Sequence, residues 1–362
     1  MSILVPQPGV MDITPYVGGE SGVPGVTRII KLASNEGAHG ASPKAIEAFK
    51  AHGPEIHRYP DGGCTALREA VAAKYDLDAS RIVFGAGSDE LLGLLCRAYA
   101  GEGDEVLYSE HGFLMYPIAA KAASATPVPA PDDDLAADVD QILAKVTDAT
   151  RIVFIANPNN PTGTYLPKSE MERLRAGLPG DVLMVVDAAY AEYIDLEDYS
   201  PGTDLVEAND NVVMTRTFSK IYGLGGMRLG WAYGSAQIAD VLNRVRNPFN
   251  VSQAAQEAGL AALADQDFID RVKAHNNEWL PWTTQKVRDI GYEVPPSIGN
   301  FILVRFPTAE GKSALDADEF LKSRGIIARR MAVYGLPEAL RVTIGLEDEM
   351  RAFVAALAEF HG

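Results

Sequence analysis

The sequence predicts an α/β fold, with a large domain built on a mostly parallel sheet covered by helices and a smaller α+β domain beside it. Three observations predict it. A chain of 362 residues exceeds what one ordinary hydrophobic core organises. From about residue 66, helical and β-branched segments alternate, the β-α-β order of α/β proteins. The apolar runs also lack strict in–out alternation, which is the pattern of strands covered on both faces.

The elements follow in order. ALREAVAAKY (66–75) is amphipathic and made of good helix formers, and RIVFG (81–85) is a short β-branched run. SDELLGLLCRAYA (88–100) opens with Ser, Asp and Glu, the signature of a helix N-terminus. EVLYS (105–109), ATPVPA (125–130), RIVFIA (151–156), VLMVVDAAY (182–190), VVMTRT (212–217) and GWAYG (230–234) read as strands or strand ends. After a long helix around 252–265 the character changes. A helix near 267–290 leads to a strand NFILVRF (300–306), a helix near 316–324, strands GIIARR (325–330) and LRVTIG (340–345), and a closing helix near 347–360. The expected division is a large domain over 46–242, with 1–45 and 243–362 forming an N-terminal arm and the small domain.

Composition narrows the function. The net charge of −17 disfavours nucleic acid, since neutralising phosphates requires clustered Lys and Arg. No apolar run is long enough to cross a bilayer, and the first residues do not read as a secretory signal. Two cysteines, Cys64 and Cys96, fit a reducing cytoplasm and leave no disulfide framework or zinc cluster. The six histidines stand at no metal-ligand spacing, so no metal is expected.

Polar residues gather where three strands end, and ligands of open α/β sheets bind at such carboxyl ends. RIVFIA runs into Asn157 of NPNNPTG (157–163), VLMVVD ends in Asp187 with Tyr190 three residues on, and VVMTRT leads into Phe218-Ser219-Lys220 and then Arg228. A lysine amine condenses with an aldehyde to form an imine, and burial lowers its pKa towards neutrality. A carboxylate such as Asp187 keeps a pyridine nitrogen protonated, so that the ring accepts electrons from a substrate carbanion. This is the equipment for pyridoxal 5′-phosphate. Asn157 and Tyr190 suit its ring hydroxyl. Arg228, Ser219 and Thr217 suit its phosphate, with backbone N–H groups of Ser88 and Asp89 at a helix start after Gly85-Ala86-Gly87. Phe113 suits the ring face. Taken singly each has a bland alternative: a surface turn for NPNNP, a helix cap for Asp187, core packing for Phe113 and Tyr116. Their joint order along the strand ends favours the cofactor.

NPNNPTG (157–163), VVDAAYAEY (185–193), TFSKIYGLGGMRLGW (217–231) and LRVTIG (340–345) resemble the motifs of class I/II aminotransferases of fold type I. KLASNE (31–36), RYPDGG (58–63), GAGSDELL (85–92), NPFNVSQAAQ (247–256) and YGLPEALRVTIG (334–345) are similar to those of its histidinol-phosphate branch. The resemblance spans nearly the whole chain. It implies a seven-stranded sheet, a homodimer with shared active sites, and a small-molecule amino donor and 2-oxo acid as substrates. It further implies Tyr59 at the cofactor phosphate of the neighbouring subunit. Tyr16 and Asn35 then approach the substrate from the N-terminal arm, and Arg341, with Arg329, grips substrate anions. Two departures fall where substrate binds: Gly37-Ala38-His39-Gly40 in place of the usual Asn-Pro-x-Gly, and Arg330 in place of a proline. The expected reaction moves the amino group of L-histidinol phosphate to 2-oxoglutarate. The alternatives are an aromatic amino acid aminotransferase and a threonine-phosphate decarboxylase; a regulator without turnover is disfavoured by the acidic charge.

Overall fold

The computed structural model describes residues 4–16, 18–20, 22–25 and 28–362. Its strands are β1 (Ile30–Lys31), β2 (Ile82–Gly85), β3 (Glu105–Ser109), β4 (Thr126–Ala130), β5 (Asp132–Asp133), β6 (Ala136–Ala137) and β7 (Thr150–Ala156). The second half of the chain adds β8 (Leu183–Asp187), β9 (Val212–Thr217), β10 (Gly230–Tyr233), β11 (Phe301–Arg305), β12 (Ile326–Ile327), β13 (Arg329–Arg330) and β14 (Ala339–Thr343). Seven strands form the central sheet in the order β2-β10-β9-β8-β7-β3-β4. Neighbours run parallel except at β10, which is antiparallel to both β2 and β9. The mostly parallel seven-stranded sheet expected from the sequence is present.

Side chains on a strand point alternately to the two faces. On β7, Val153 and Ile155 join one core while Ile152 and Phe154 join another, so both faces are covered. The first core takes Leu67 and Val71 from helix Thr65–Tyr75 and Leu174 from helix Lys168–Gly177. The second takes Leu91 and Leu95 from helix Ser88–Tyr99, Ala120 from helix Met115–Ala122 and Leu242 from helix Ala236–Val245. This two-sided cover is why the strands read as continuous apolar runs. Serine caps start several of the helices: Ser42, Ser235, Ser252 and Ser313 each accept a first-turn backbone N–H.

A smaller antiparallel sheet, β11-β14-β13, carries its own core of Ile302, Val304, Leu340, Val342, Phe353 and Leu357. The long helix Gln266–Ile290 serves both halves. Phe268, Ile269 and Val272 belong to the core of the large sheet, as does helix Gln253–Ala264, whereas Trp279 and Val287 pack in the smaller one.

One element differs from expectation. Residues 325–330, read as a single strand, form two: β12 pairs in parallel with β1, and β13 pairs with β14. The chain changes sheets at Ala328 because the N-terminal segment supplies Ile30 and Lys31 as a partner for Ile326 and Ile327. A pairing between residues some three hundred positions apart leaves no periodic trace in the sequence.

Candidate functional site

The carboxyl edge of the parallel strands opens onto a cavity of about 380 Å³. β8 delivers Asp187, and β9 ends at Thr217 before a loop that carries Ser219, Lys220 and Arg228. β2 leads into the helix that begins at Ser88 and Asp89, and the loop after β3 brings Phe113. From the arm and the small sheet come Tyr16, Asn35, Arg329 and Arg341. Thirteen of the fifteen residues singled out from the sequence thus line one space, Tyr190 included. A second cavity of about 690 Å³ lies between the arm and the small sheet, and Tyr16 and Arg329 border both. The Arg329 guanidinium sits over the Tyr16 ring, 5.9 Å from its centroid.

The two groups that define the chemistry are shifted in opposite directions. Asp187 is 5% exposed, and burial pushes its carboxyl up to about 6 despite hydrogen bonds that favour the anion. Tyr116 Oη donates to its Oδ2 at 3.0 Å and Thr215 Oγ1 to its Oδ1 at 3.4 Å. Burial lowers the Lys220 amine to about 8, and the positive charge of Arg341 acts in the same sense. Lys220 Nζ donates to the carbonyls of Ser34 (3.3 Å) and Asn35 (3.4 Å), and the negative charges of Asp89 and Glu36 only partly offset the effect of burial.

Anion-binding groups flank this pair. Arg228 adopts a left-handed backbone (φ 51°). It donates to Asp89 Oδ2 at 2.8 Å and reaches Ser219 Oγ at 3.5 Å, beside the first turn of helix Ser88–Tyr99. Gly87, at φ 88°, permits this approach: a Cβ there would lie 2.3 Å from the Arg228 guanidinium. At the other side Arg341 donates to the Ala33 carbonyl (2.7 Å) and to Asn160 Oδ1, with its cation over the Phe301 ring. Its buried Nε has no hydrogen-bond partner among the described residues.

Two of the residues stand apart. Tyr59 is 84% exposed and stacks on Phe249 outside the cavity. Asn157 is buried but does not line the cavity; its side-chain amide brackets the backbone of Leu166, donating to its O (3.1 Å) and accepting from its N (2.9 Å). Sequence reasoning weighed Tyr116 beside Phe113 but left it out of the site, and it missed Thr215, Asn160, Tyr334 and Thr343. Tyr116 follows Phe113 by nearly one helical turn and Thr343 follows Arg341 by two strand positions, so the same motifs carried the signal.

The donor set fits pyridoxal 5′-phosphate: a buried carboxylate, an amine held near neutrality, an aromatic ring, and an arginine beside a helix N-terminus share one cavity. Among the described residues no cluster of His, Cys, Asp and Glu suits a metal ion, and no helix is long and apolar enough to cross a membrane.

Comparisons with known proteins agree with this geometry. The model of aminotransferase class I and II matches residues 27–357. The chain is 62% identical over 362 residues to the histidinol-phosphate aminotransferase of Paramagnetospirillum magneticum, covering all of both chains. It is 59% identical over 360 residues to that of Rhodospirillum centenum, covering 99% of each. The solved structure of histidinol-phosphate aminotransferase from Sinorhizobium meliloti in complex with pyridoxal-5′-phosphate is 28% identical, with a TM-score of 0.89 over 97% of this chain and 96% of that one. The chain belongs to the class I and II aminotransferases.

Proposed function

We propose that this chain is a pyridoxal 5′-phosphate-dependent transaminase that moves the amino group of L-histidinol phosphate to 2-oxoglutarate, a step of histidine biosynthesis. The observation that carries this reading is the meeting of Lys220 and Asp187 in one cavity, each shifted towards neutral pH from opposite sides. The full-length likeness to histidinol-phosphate aminotransferases supports the substrate.

The cofactor supplies an aldehyde that exchanges amines and a ring that accepts electron density from the substrate Cα. The residues of the chain do the rest. Asp187 would keep the ring nitrogen protonated and Tyr190 would hydrogen-bond the ring hydroxyl, while Asn157, its amide engaged with the Leu166 backbone outside the cavity, braces the strand end beside them. Phe113 would cover the ring face. Arg228, Ser219 and Thr217, with backbone N–H groups at Ser88 and Asp89, hold the phosphate. Lys220 would anchor the aldehyde of the cofactor, and with a donor amine bound its Nζ would carry the proton between the substrate Cα and the cofactor carbon. Arg341 and Arg329 grip the anionic end of each substrate. A guanidinium fork suits phosphate and carboxylate alike, so the same residues serve both half-reactions. Tyr16 and Asn35 close the substrate side. In this reading the enzyme works in the cytoplasm as a homodimer, with Tyr59 reaching the phosphate of the neighbouring subunit.

The test mixes holoenzyme separately with L-histidinol phosphate, phenylalanine and threonine phosphate, and follows the cofactor absorbance in a single turnover. L-Histidinol phosphate should react fastest. A much faster reaction with phenylalanine would reassign the substrate, and carbon dioxide release from threonine phosphate would reassign the reaction.

A further inference from the structure

Asn35 joins the catalytic cavity to the small sheet. It is 1% exposed and has a left-handed backbone (φ 53°). Its carbonyl accepts from Lys220 Nζ and from Asn300 Nδ2 (3.2 Å), so its backbone is pinned at both halves of the site. Its side-chain amide has a definite sense. Nδ2 donates to Tyr190 Oη at 2.9 Å, while Oδ1 accepts from Thr343 Oγ1 at 3.2 Å. Thr343 Oγ1 in turn accepts from the Asn35 backbone N–H at 2.9 Å. Thr343 is buried at the end of β14, two residues beyond Arg341 and therefore on the same face of the strand.

Proton counting gives these contacts a direction. A threonine or tyrosine hydroxyl has one proton to donate. Thr343 gives its proton to Asn35 Oδ1, which fixes the amide with Nδ2 towards Tyr190. The Tyr190 hydroxyl therefore receives a hydrogen bond from Asn35 and keeps its own proton for another acceptor. Were the amide reversed, Oδ1 would face Tyr190 and take that proton.

We propose that Thr343 is a positioning residue for the reaction: through the Asn35 amide it commits the single hydroxyl proton of Tyr190 to the catalytic cavity. The inference rests on the function proposed above, in which that proton serves the ring oxygen of the cofactor. It also gives β14 two tasks, since Arg341 grips the substrate from the strand whose end sets the hydrogen-bonding state of Tyr190.

The experiment compares Thr343→Val, which keeps the shape and removes the hydroxyl, with Thr343→Ser, which restores it. The readout is the pH titration of the bound cofactor's absorbance, with kcat and KM for L-histidinol phosphate beside it. Thr343→Val should raise the titration midpoint by about one unit and lower kcat about tenfold, the size of one hydrogen bond to a charged group. KM should stay within about twofold, and Thr343→Ser should keep the wild-type midpoint. In a Tyr190→Phe background, Thr343→Val should shift nothing further, as a shared pathway requires. Should Thr343→Val fail to fold, Asn35→Asp gives the same reading. Its carboxylate can only accept and would draw off the Tyr190 proton, so the midpoint should rise there too.

An unmoved midpoint, or an equal shift in the Tyr190→Phe background, overturns the inference alone. A wild-type chain that shows no cofactor absorbance overturns the proposed function and this inference with it.

Discussion

Lys220 and Asp187 show what a site asks of single residues. Lowered to about 8, the Lys220 amine is substantially neutral at pH values where an ordinary lysine is charged. Reductive labelling of Lys220 in the cofactor-free chain by a small aldehyde, read by mass spectrometry, should therefore rise about tenfold per pH unit below 8 and level off above it. A plateau reached only near pH 10.5 would contradict the burial argument. Lys220→Ala should abolish transamination, and substantial turnover without an added amine would defeat the assignment of that residue.

Asp187 gives a prediction of opposite sign. Its carboxyl is raised from 3.8 to about 6, so the folded chain holds that proton more tightly than the unfolded one, and stability falls as pH rises through this window. Asp187→Asn, neutral and nearly isosteric, should melt at a higher temperature than the parent in cofactor-free form above pH 6. That advantage should vanish below about pH 4, and cofactor binding should be lost throughout. Thermal melts at several pH values check it.

Among the elements, the Lys220 loop is held by backbone contact as much as by side chains. Gly223 has φ 67°, and a Cβ there would stand 1.9 Å from the Gly40 carbonyl oxygen. Gly223→Ala should cost at least about 2 kcal/mol from strain and displaced backbone and lower cofactor occupancy, measured by melting and by absorbance. A variant with wild-type stability and occupancy would show that the two loops separate freely.

The elements also show why some of the site was legible and some was not. Asp187, Thr217 and Lys220 were readable because each follows an apolar run covered on both faces, and strand ends are where such sheets place ligands. Tyr116 was passed over because an aromatic residue at the start of an apolar helix is ordinarily core. Only its 3.0 Å bond to Asp187 separates it from its neighbours. Thr343 and Thr215 are unremarkable strand residues until register sets them beside Asn35 and Asp187. The departure Gly37-Ala38-His39-Gly40 takes its meaning from contact as well: Gly40 meets Gly223, and the His39 ring stands edge-on to His275 at 4.6 Å. The split of 325–330 into β12 and β13 depends on a partner strand that no local pattern announces.

At the scale of the whole molecule, exposed apolar side chains bear on assembly. Ile46, Phe49, Ile56, Tyr59 and Phe249 are all exposed, and Tyr59 and Phe249 stack on one another at the surface, where contiguous apolar area marks association. A chain of 38.9 kDa should sediment with about twice that mass at micromolar concentration. Tyr59→Ala should weaken cofactor retention in the dimer; a purely monomeric species with full activity would remove the neighbouring subunit from the site. The division of the chain at 242/243 remains a proposal. The side chains of helix Gln266–Ile290 pass from one core to the other between Val272 and Trp279, so the large core takes in residues beyond that division.

The short pairing of β1 with β12 has a practical corollary. Ile30 and Lys31 are stitched to Ile326 and Ile327, and the carbonyls that receive the Lys220 amine come only a few residues later. Trimming the chain past about residue 29 would unpick that seam and cost the enzyme its active amine geometry, however well the remainder folded.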